Sequence, residues 1–246
     1  IDHEKYTMIE DYDGFVRSPD PVVIHHNLEL FGTKDPRAQV LVQYFDDIPY
    51  TLQKQVGNNP MMIGPTMDYL QRKDPGIIKY YKGESVTLDR RAPLYLQWDR
   101  RWAATPYGDN LLMVNGCVPT SLSMVVSGLR NEFISPVDVI SHVGPGDIGP
   151  NGTSWSFVDR WPEIYGLRAE RLPYDQTAIN QALADGKIVV MGLGPGQFTF
   201  VGHFMVVLGF DGTYYTVNDA NSLENSVTPW RFEELTPVSV VWAMSK

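Results

Sequence analysis

The sequence predicts an α+β fold, helices first and an antiparallel sheet second, and three observations carry that prediction. The segment CVPTSLSMVVSGL places Val118, Leu122, Val125, Val126 and Leu129 on one helical face. The apolar runs KIVVMGLG, HFMVVLGF and PVSVVWAM are strand-sized and fall in the last part of the chain. HFMVVLGF and TYYTVND flank Asp211-Gly212, the chemistry of a hairpin turn.

The chain has 246 residues, 43% hydrophobic and 20% charged, enough for one large domain or a core domain with an appendage. No apolar run is long enough to cross a bilayer. The net charge is -9 and there is no Lys/Arg-rich block, which argues against nucleic acid as a partner. A single cysteine forms no intramolecular disulfide and no Cys-rich zinc site. The chain opens on Ile1 rather than Met, so a preceding segment is expected to have been removed.

Residues 1–88 read as an N-terminal extension, mostly helical, and residues 89–246 as the main domain. Within the extension, residues 1–35 are polar and turn-rich, with Asp13-Gly14, Pro19 and Pro21. PRAQVLVQYFDDI follows as a helix with Pro36 in its first turn. TMDYLQRK forms a shorter helix before the breaker Asp74-Pro75-Gly76, and KGESVTLDRR joins the extension to the main domain.

In the main domain, Pro119 suits the first turn of the helix that Cys117 opens, and Gly128 weakens its last turn. Ser135-Pro136 starts a second helix through Ile140, and Thr153 caps a third through Trp161 and Tyr165. Asp175 caps TAINQALADG, which Gly186 closes. The strand KIVVMGLG leads into the loop GLGPGQFTFVG, expected to wall a cleft near His203. PVSVVWAM closes the sheet.

Chemistry concentrates at three residues. Cys117 sits where a loop becomes a helix; a helix N-terminus stabilises an anion, and the thiolate is the nucleophilic form of cysteine. His203 begins a strand after Gly202. With a two-residue turn at 211–212, His203 faces Ala220, so Asp219 lies beside its partner and can orient the imidazole. A thiol, a base and an orienting carboxylate are the parts of an activated nucleophile. Each also has a plainer reading: a lone cysteine as a small buried hydrophobe, a strand histidine as a structural donor, Asn218-Asp219 as turn chemistry. Spacing alone leaves both readings open.

QWDRRWAATPYG, GCVPTSLSMVVSGL and GHFMVVLGFDGTYYTVNDAN, in that order, resemble the domain of cysteine-peptidase family thirty-nine and its relatives. That family includes bacteriocin-processing, double-glycine-leader peptidases and bacterial surface proteins. The resemblance covers residues 94 to about 244. It implies a papain-like fold in which Cys117 is the nucleophile, His203 the general base and Asp219 the residue that orients it. It also implies that Gln97 donates to the oxyanion together with the Cys117 backbone N–H. Asn218 and Asn221 are alternatives for the orienting role, and Val118 departs from the glycine that many relatives carry after the cysteine. The implied activity is hydrolysis of a peptide or cell-wall-type amide through a covalent acyl-enzyme, in a secreted or cell-surface bacterial protein. No cofactor or metal is implied. A non-catalytic binding module on the same fold, or an acyltransferase using the same residues, are the alternatives.

Other polar residues read as structural. His3, His25 and His26 lack partners at metal-ligand spacing and face solvent, and His142 follows a helix end. Trp98, Trp102, Trp155 and Trp161 read as core, with Trp155 at a cleft border.

Overall fold

A computed structural model describes residues 9, 12–73, 88–150 and 152–246. His3, Asp74-Pro75-Gly76, most of the KGESVTLDRR linker and Asn151 lie outside them. The chain divides into two compact units, residues 1–84 with 98–104, and residues 85–97 with 105–246.

The first unit carries four described α-helices joined by turns: α1 (Pro21–Phe31), α2 (Pro36–Gln43), α3 (Tyr50–Val56) and α4 (Ile63–Lys73). Helix α1 corrects the turn-rich expectation for residues 1–35. Asp20 caps it by accepting from Val22 N at 2.8 Å, Pro21 fills the first turn, and Ile24, Leu28 and Phe31 form its buried stripe. Helix α2 ends earlier than expected, at Gln43, and Phe45–Asp47 continue as a 3-10 turn. On α1 His25 is half-buried and His26 exposed, each 3.6 Å from Glu29.

The second unit carries the sheet. Two short hairpins, β1 (Pro106–Tyr107) with β2 (Asn110–Leu111) and β3 (Ile148–Gly149) with β4 (Gly152–Thr153), accompany the helices α5 (Leu112–Asn115), α6 (Cys117–Arg130), α7 (Pro136–Ile140) and α8 (Trp155–Arg160). Then come β5 (Arg168–Leu172), α9 (Gln176–Ala184), β6 (Ile188–Leu193), β7 (His203–Phe210), β8 (Tyr215–Asp219), α10 (Leu223–Val227) and β9 (Val238–Ser245). The five strands β5 to β9 form one antiparallel sheet in the order β5-β9-β6-β7-β8. The α+β layout expected from the sequence is present. Strand β9 does not close the sheet at an edge, however; it is threaded between β5 and β6.

Side chains alternate across the sheet. Val189, Met191, Met205, Val207, Val217 and Val241 pack on one face with Ile179 and Leu183 of α9. On the other, Asn218 of β8 reaches Met124 Sδ of α6 at 3.7 Å, and α6 lies over β6 and β7. The α6 face is buried from Val118 through Ser127, while Leu129 is half-buried. Gly128 has a positive packing role: a Cβ there would stand 2.7 Å from both Arg91 O and Ala92 Cβ. That segment, residues 90–97, runs along the outer edge of β8. Arg90 Nη1 donates to Val217 O at 2.6 Å, Asn218 Nδ2 to Pro93 O at 3.0 Å, and Gln97 N to Ala220 O at 2.7 Å.

Local signals hold with two adjustments. Ser135 and Asp138 form a capping box on α7, and Asp175 caps α9 by accepting from Ala178 N at 2.9 Å. The cap of α8 is Ser154 rather than Thr153, which pairs in β4 instead. The β7–β8 connection is a four-residue turn, with Phe210 opposite Tyr215 and Asp211 Oδ1 accepting from the N–H groups of Thr213 and Tyr214. A bulge between Val207 and Gly209 then shifts the register, so Asp219 pairs with Met205. The two-residue turn and the pairing of His203 with Ala220 are therefore corrected.

Candidate active site

Cys117 is the first residue of α6 and is half-buried. Its helix has no side-chain cap at Gly116, and the bond from Thr120 N to Gly116 O, at 3.0 Å, closes the first turn. Pro119 carries no N–H, so Cys117 and Val118 supply the opening donors of this turn. Gly116 is held close: a Cβ there would sit 2.2 Å from Leu112 O. The compact 112–116 turn thus sets the direction in which the thiol leaves the helix.

His203 opens β7 and pairs across the ladder with Leu193. It lies two residues before Met205, the register partner of Asp219, so His203 and Asp219 are diagonal neighbours on one face. Nε2 of His203 lies 2.6 Å from Asp219 Oδ1, and both side chains are buried. Cys117 lies close enough to the same imidazole to act on its charge. With Nε2 engaged by Asp219, Nδ1 is the ring nitrogen left to exchange a proton with the thiol. The structure therefore brings Cys117, His203 and Asp219 together.

Charge in this cluster is set by burial and pairing. Burial alone lowers the His203 pKa, but the charge and hydrogen bond of Asp219, with smaller contributions from Cys117, raise it to about 10. Burial likewise pushes Asp219 up, and His203, Asn225 and the Asn221 N–H together hold it below the usual carboxylate range. Both shifts keep the pair charged at neutral pH, an imidazolium against a carboxylate.

Asp219 is anchored more thoroughly than sequence reading revealed. Its Oδ1 also accepts from Asn221 N at 2.8 Å, and its Oδ2 accepts from Asn225 Nδ2 at 2.8 Å. Its backbone N–H donates to Ser226 Oγ at 2.8 Å. Asn225 and Ser226 lie on α10, which Ser222 caps. A serine three residues before Asn225 is a capping signal that could have placed this helix. Asn218 is directed elsewhere: its Oδ1 accepts from Arg90 and its Nδ2 donates toward Ala92 O and Pro93 O.

Gln97 is buried, and its Nε2 donates to Met113 O at 2.8 Å and toward Val114 O at 3.3 Å, while its Oε1 has no protein partner. It therefore grips the turn that leads into Cys117. The shorter bond accounts for one amide hydrogen. The second makes only the longer contact and is the one an oxyanion could claim.

Around the thiol, Tyr107 is buried with its hydroxyl bonded to Thr153 Oγ1. Burial pushes its pKa up to about 12, and the charges of Cys117 and Asp147 add to that rise, placing the β1–β2 and β3–β4 hairpins on the cysteine side of the site. Trp155 is 43% exposed and packs edge-on against Trp242, which stacks on Phe204 beside His203. Trp98, Trp102 and Trp161 are buried, and His142 Nδ1 accepts from Trp161 Nε1 at 3.2 Å. Among the described residues no group of three or more His, Cys, Asp or Glu side chains is arranged to hold a metal, and no helix is long and apolar enough to cross a membrane.

Residues 90–246 match the family described as the Peptidase_C39 like family. No curated protein matches the chain. Among solved structures, it is similar to a C39-like peptidase from Bacillus anthracis, at 16% identity and a TM-score of 0.44, over 63% of this chain and 94% of that one. It is also similar to the peptidase domain of Streptococcus ComA, a bifunctional ABC transporter involved in a quorum-sensing pathway, at 14% identity and a TM-score of 0.41, over 59% of this chain and 99% of that one.

Proposed function

We propose, from the premise that this chain belongs to the Peptidase_C39 like family, that it hydrolyses a peptide or peptide-like amide bond through a Cys117 acyl-enzyme. The observation that carries this reading is the 2.6 Å contact of His203 with Asp219, with Cys117 at the start of α6 near enough to act on the same imidazole. In the first half-reaction the Cys117 sulfur attacks the carbonyl carbon and its thiol proton resides on His203. The tetrahedral oxyanion is received by the Cys117 N–H and the second N–H of Gln97 Nε2. The C–N bond then breaks as His203 protonates the departing amine, leaving a thioester on Cys117. In the second, water adds to the thioester, His203 accepts its proton, and the carboxylic acid leaves as the thiol reforms.

Asp219 keeps the imidazole in the tautomer and orientation that both proton transfers need. The family supports a peptide as substrate; a cell-wall crosslink, and a secreted or cell-surface bacterial setting, are proposed by analogy. The test is incubation of the wild type and Cys117→Ala with a mixed peptide library, followed by mass spectrometry in heavy-oxygen water. New C-termini carrying the heavy oxygen, absent with Cys117→Ala, are expected. Identical product sets from the two proteins would remove the peptidase reading. Products joined to added amines instead of water would replace hydrolysis by acyl transfer.

A further inference from the structure

We propose that Asn225 is a positioning residue, which fixes the Asp219 carboxylate and through it the orientation and protonation of His203. The proposal rests on the reading of Cys117, His203 and Asp219 as the reactive trio.

Asp219 is 1% exposed, so each of its carboxylate oxygens must find donors inside the protein. Oδ1 has two, His203 Nε2 at 2.6 Å and Asn221 N at 2.8 Å. Oδ2 has Asn225 Nδ2 at 2.8 Å as its hydrogen-bond donor. The Asn221 N–H fixes the Oδ1 end of the carboxylate; the rotation that would carry Oδ1 away from His203 is opposed at the other end by Asn225.

The donor is itself held. Asn225 N donates to Ser222 Oγ at 3.0 Å, and Asn225 O accepts from Trp230 Nε1 at 2.8 Å. Ser226 Oγ, one residue on, ties the same helix to the Asp219 backbone at 2.8 Å. The amide orientation is fixed by its partner, because the reverse orientation would set the Asn225 oxygen against a carboxylate. Helix α10 therefore presents one N–H at a defined point, and that point is Oδ2.

The charged and titratable groups on the elements around Asp219 are few. His203 faces it from β7, and Cys117 lies beyond His203 at the start of α6. Arg90, on the edge segment, is directed to Val217 O and Asn218 Oδ1, and Glu224 is on α10. A carboxyl introduced at position 225 would be a like charge at contact distance, and two such groups share a proton until the pH rises far enough to remove it.

The experiment is the rate of Cys117 alkylation by iodoacetamide across the pH range in wild type, Asn225→Asp, Asn225→Leu and His203→Ala. Asn225→Asp keeps the shape of the side chain, and its protonated form can donate to Oδ2 as the amide does. Its rate is expected to approach the wild type in acid and to fall roughly 10- to 100-fold behind it as the shared proton is lost. Asn225→Leu is expected to be slower than the wild type at every pH. Wild-type rates for Asn225→Asp throughout, or a deficit by one constant factor at every pH, would overturn the positioning role while leaving the trio standing. A His203→Ala profile identical to the wild type would instead remove the trio itself, and this proposal with it.

Discussion

His203 Nε2 and Asp219 Oδ1 are 2.6 Å apart although a register shift separates them from the simple pairing of their hairpin. The bulge between Val207 and Gly209 sets Asp219 opposite Met205, and the diagonal from there reaches His203. By absorbing one extra residue of β7, the bulge keeps the imidazole at the start of that strand on its carboxylate. Deleting Gly209 would let Leu208 take its place opposite Thr216, closing the bulge with Asp219 still opposite Met205. The expected outcome is a folded protein that keeps its thiol reactivity, measured by alkylation alongside circular dichroism; a loss of most of that reactivity would contradict this register.

The imidazole of His203 should govern the reactivity of the Cys117 thiol. Iodoacetamide at about pH 6 is expected to modify the wild type faster than His203→Ala. Equal rates in the two proteins at that pH would sink the idea that the two residues exchange a proton.

The buried pair should also leave a mark on stability. His203 has its pKa raised in the folded state, so its contribution is full below about 6.5 and is lost as pH climbs toward about 10. Asp219 has its pKa lowered, so its contribution is present above 3.8 and disappears as pH falls through its lower folded value. Unfolding free energies of wild type and Asp219→Asn, from denaturant titrations, should therefore differ most between about pH 4 and 6.5, by roughly 3–5 kcal/mol for a broken buried pair. A difference that stays constant from acid to alkali would show that the pair is not ionised.

Gln97→Ala is expected to lower kcat/KM by about 2.7–4 kcal/mol of transition-state stabilisation, the usual effect of removing one oxyanion donor. It also frees the Met113 and Val114 carbonyls, so the comparison needs Gln97→Glu, whose protonated carboxyl keeps the length and one O–H for the Met113 carbonyl but has no second donor. An unaltered kcat/KM in both variants would leave Gln97 with a purely architectural part in gripping the turn.

Gly128→Val should destabilise the second unit by about 1–3 kcal/mol, because the added atoms meet the backbone of residues 91 and 92 rather than a movable side chain. Chemical denaturation midpoints would check this, and a value equal to the wild type would contradict the close approach.

What could be read from the sequence was whatever repeats along the chain. Helix α6, strand β6 and the caps at Ser135 and Asp175 each carry a periodic or capping signal, and each forms where it was expected. Helix α1 was hidden because Asp13-Gly14, Pro19 and Pro21 suggested turns, although Ile24, Leu28 and Phe31 keep helical spacing. Strand β5, the charged edge segment RAERL, has no apolar alternation to betray it. Within the site, Cys117, His203 and Asp219 stand in recognisable motifs. The partners of Gln97 and the role of Asn225 depend on two short helices, α5 and α10, of one turn or little more, too brief for a period to register.

The strip of chain from Arg90 to Gln97 has a consequence for how a substrate can be received. The Arg90 guanidinium donates to Val217 O, Gln97 N donates to Ala220 O, and the Asp219 N–H is taken by Ser226 Oγ, so the border of the sheet beside Asp219 is already engaged by the protein's own groups. An incoming peptide cannot extend the sheet there as an additional strand. Recognition at that border must instead come from loops and side chains, which read the identity of residues rather than the generic backbone that every polypeptide shares.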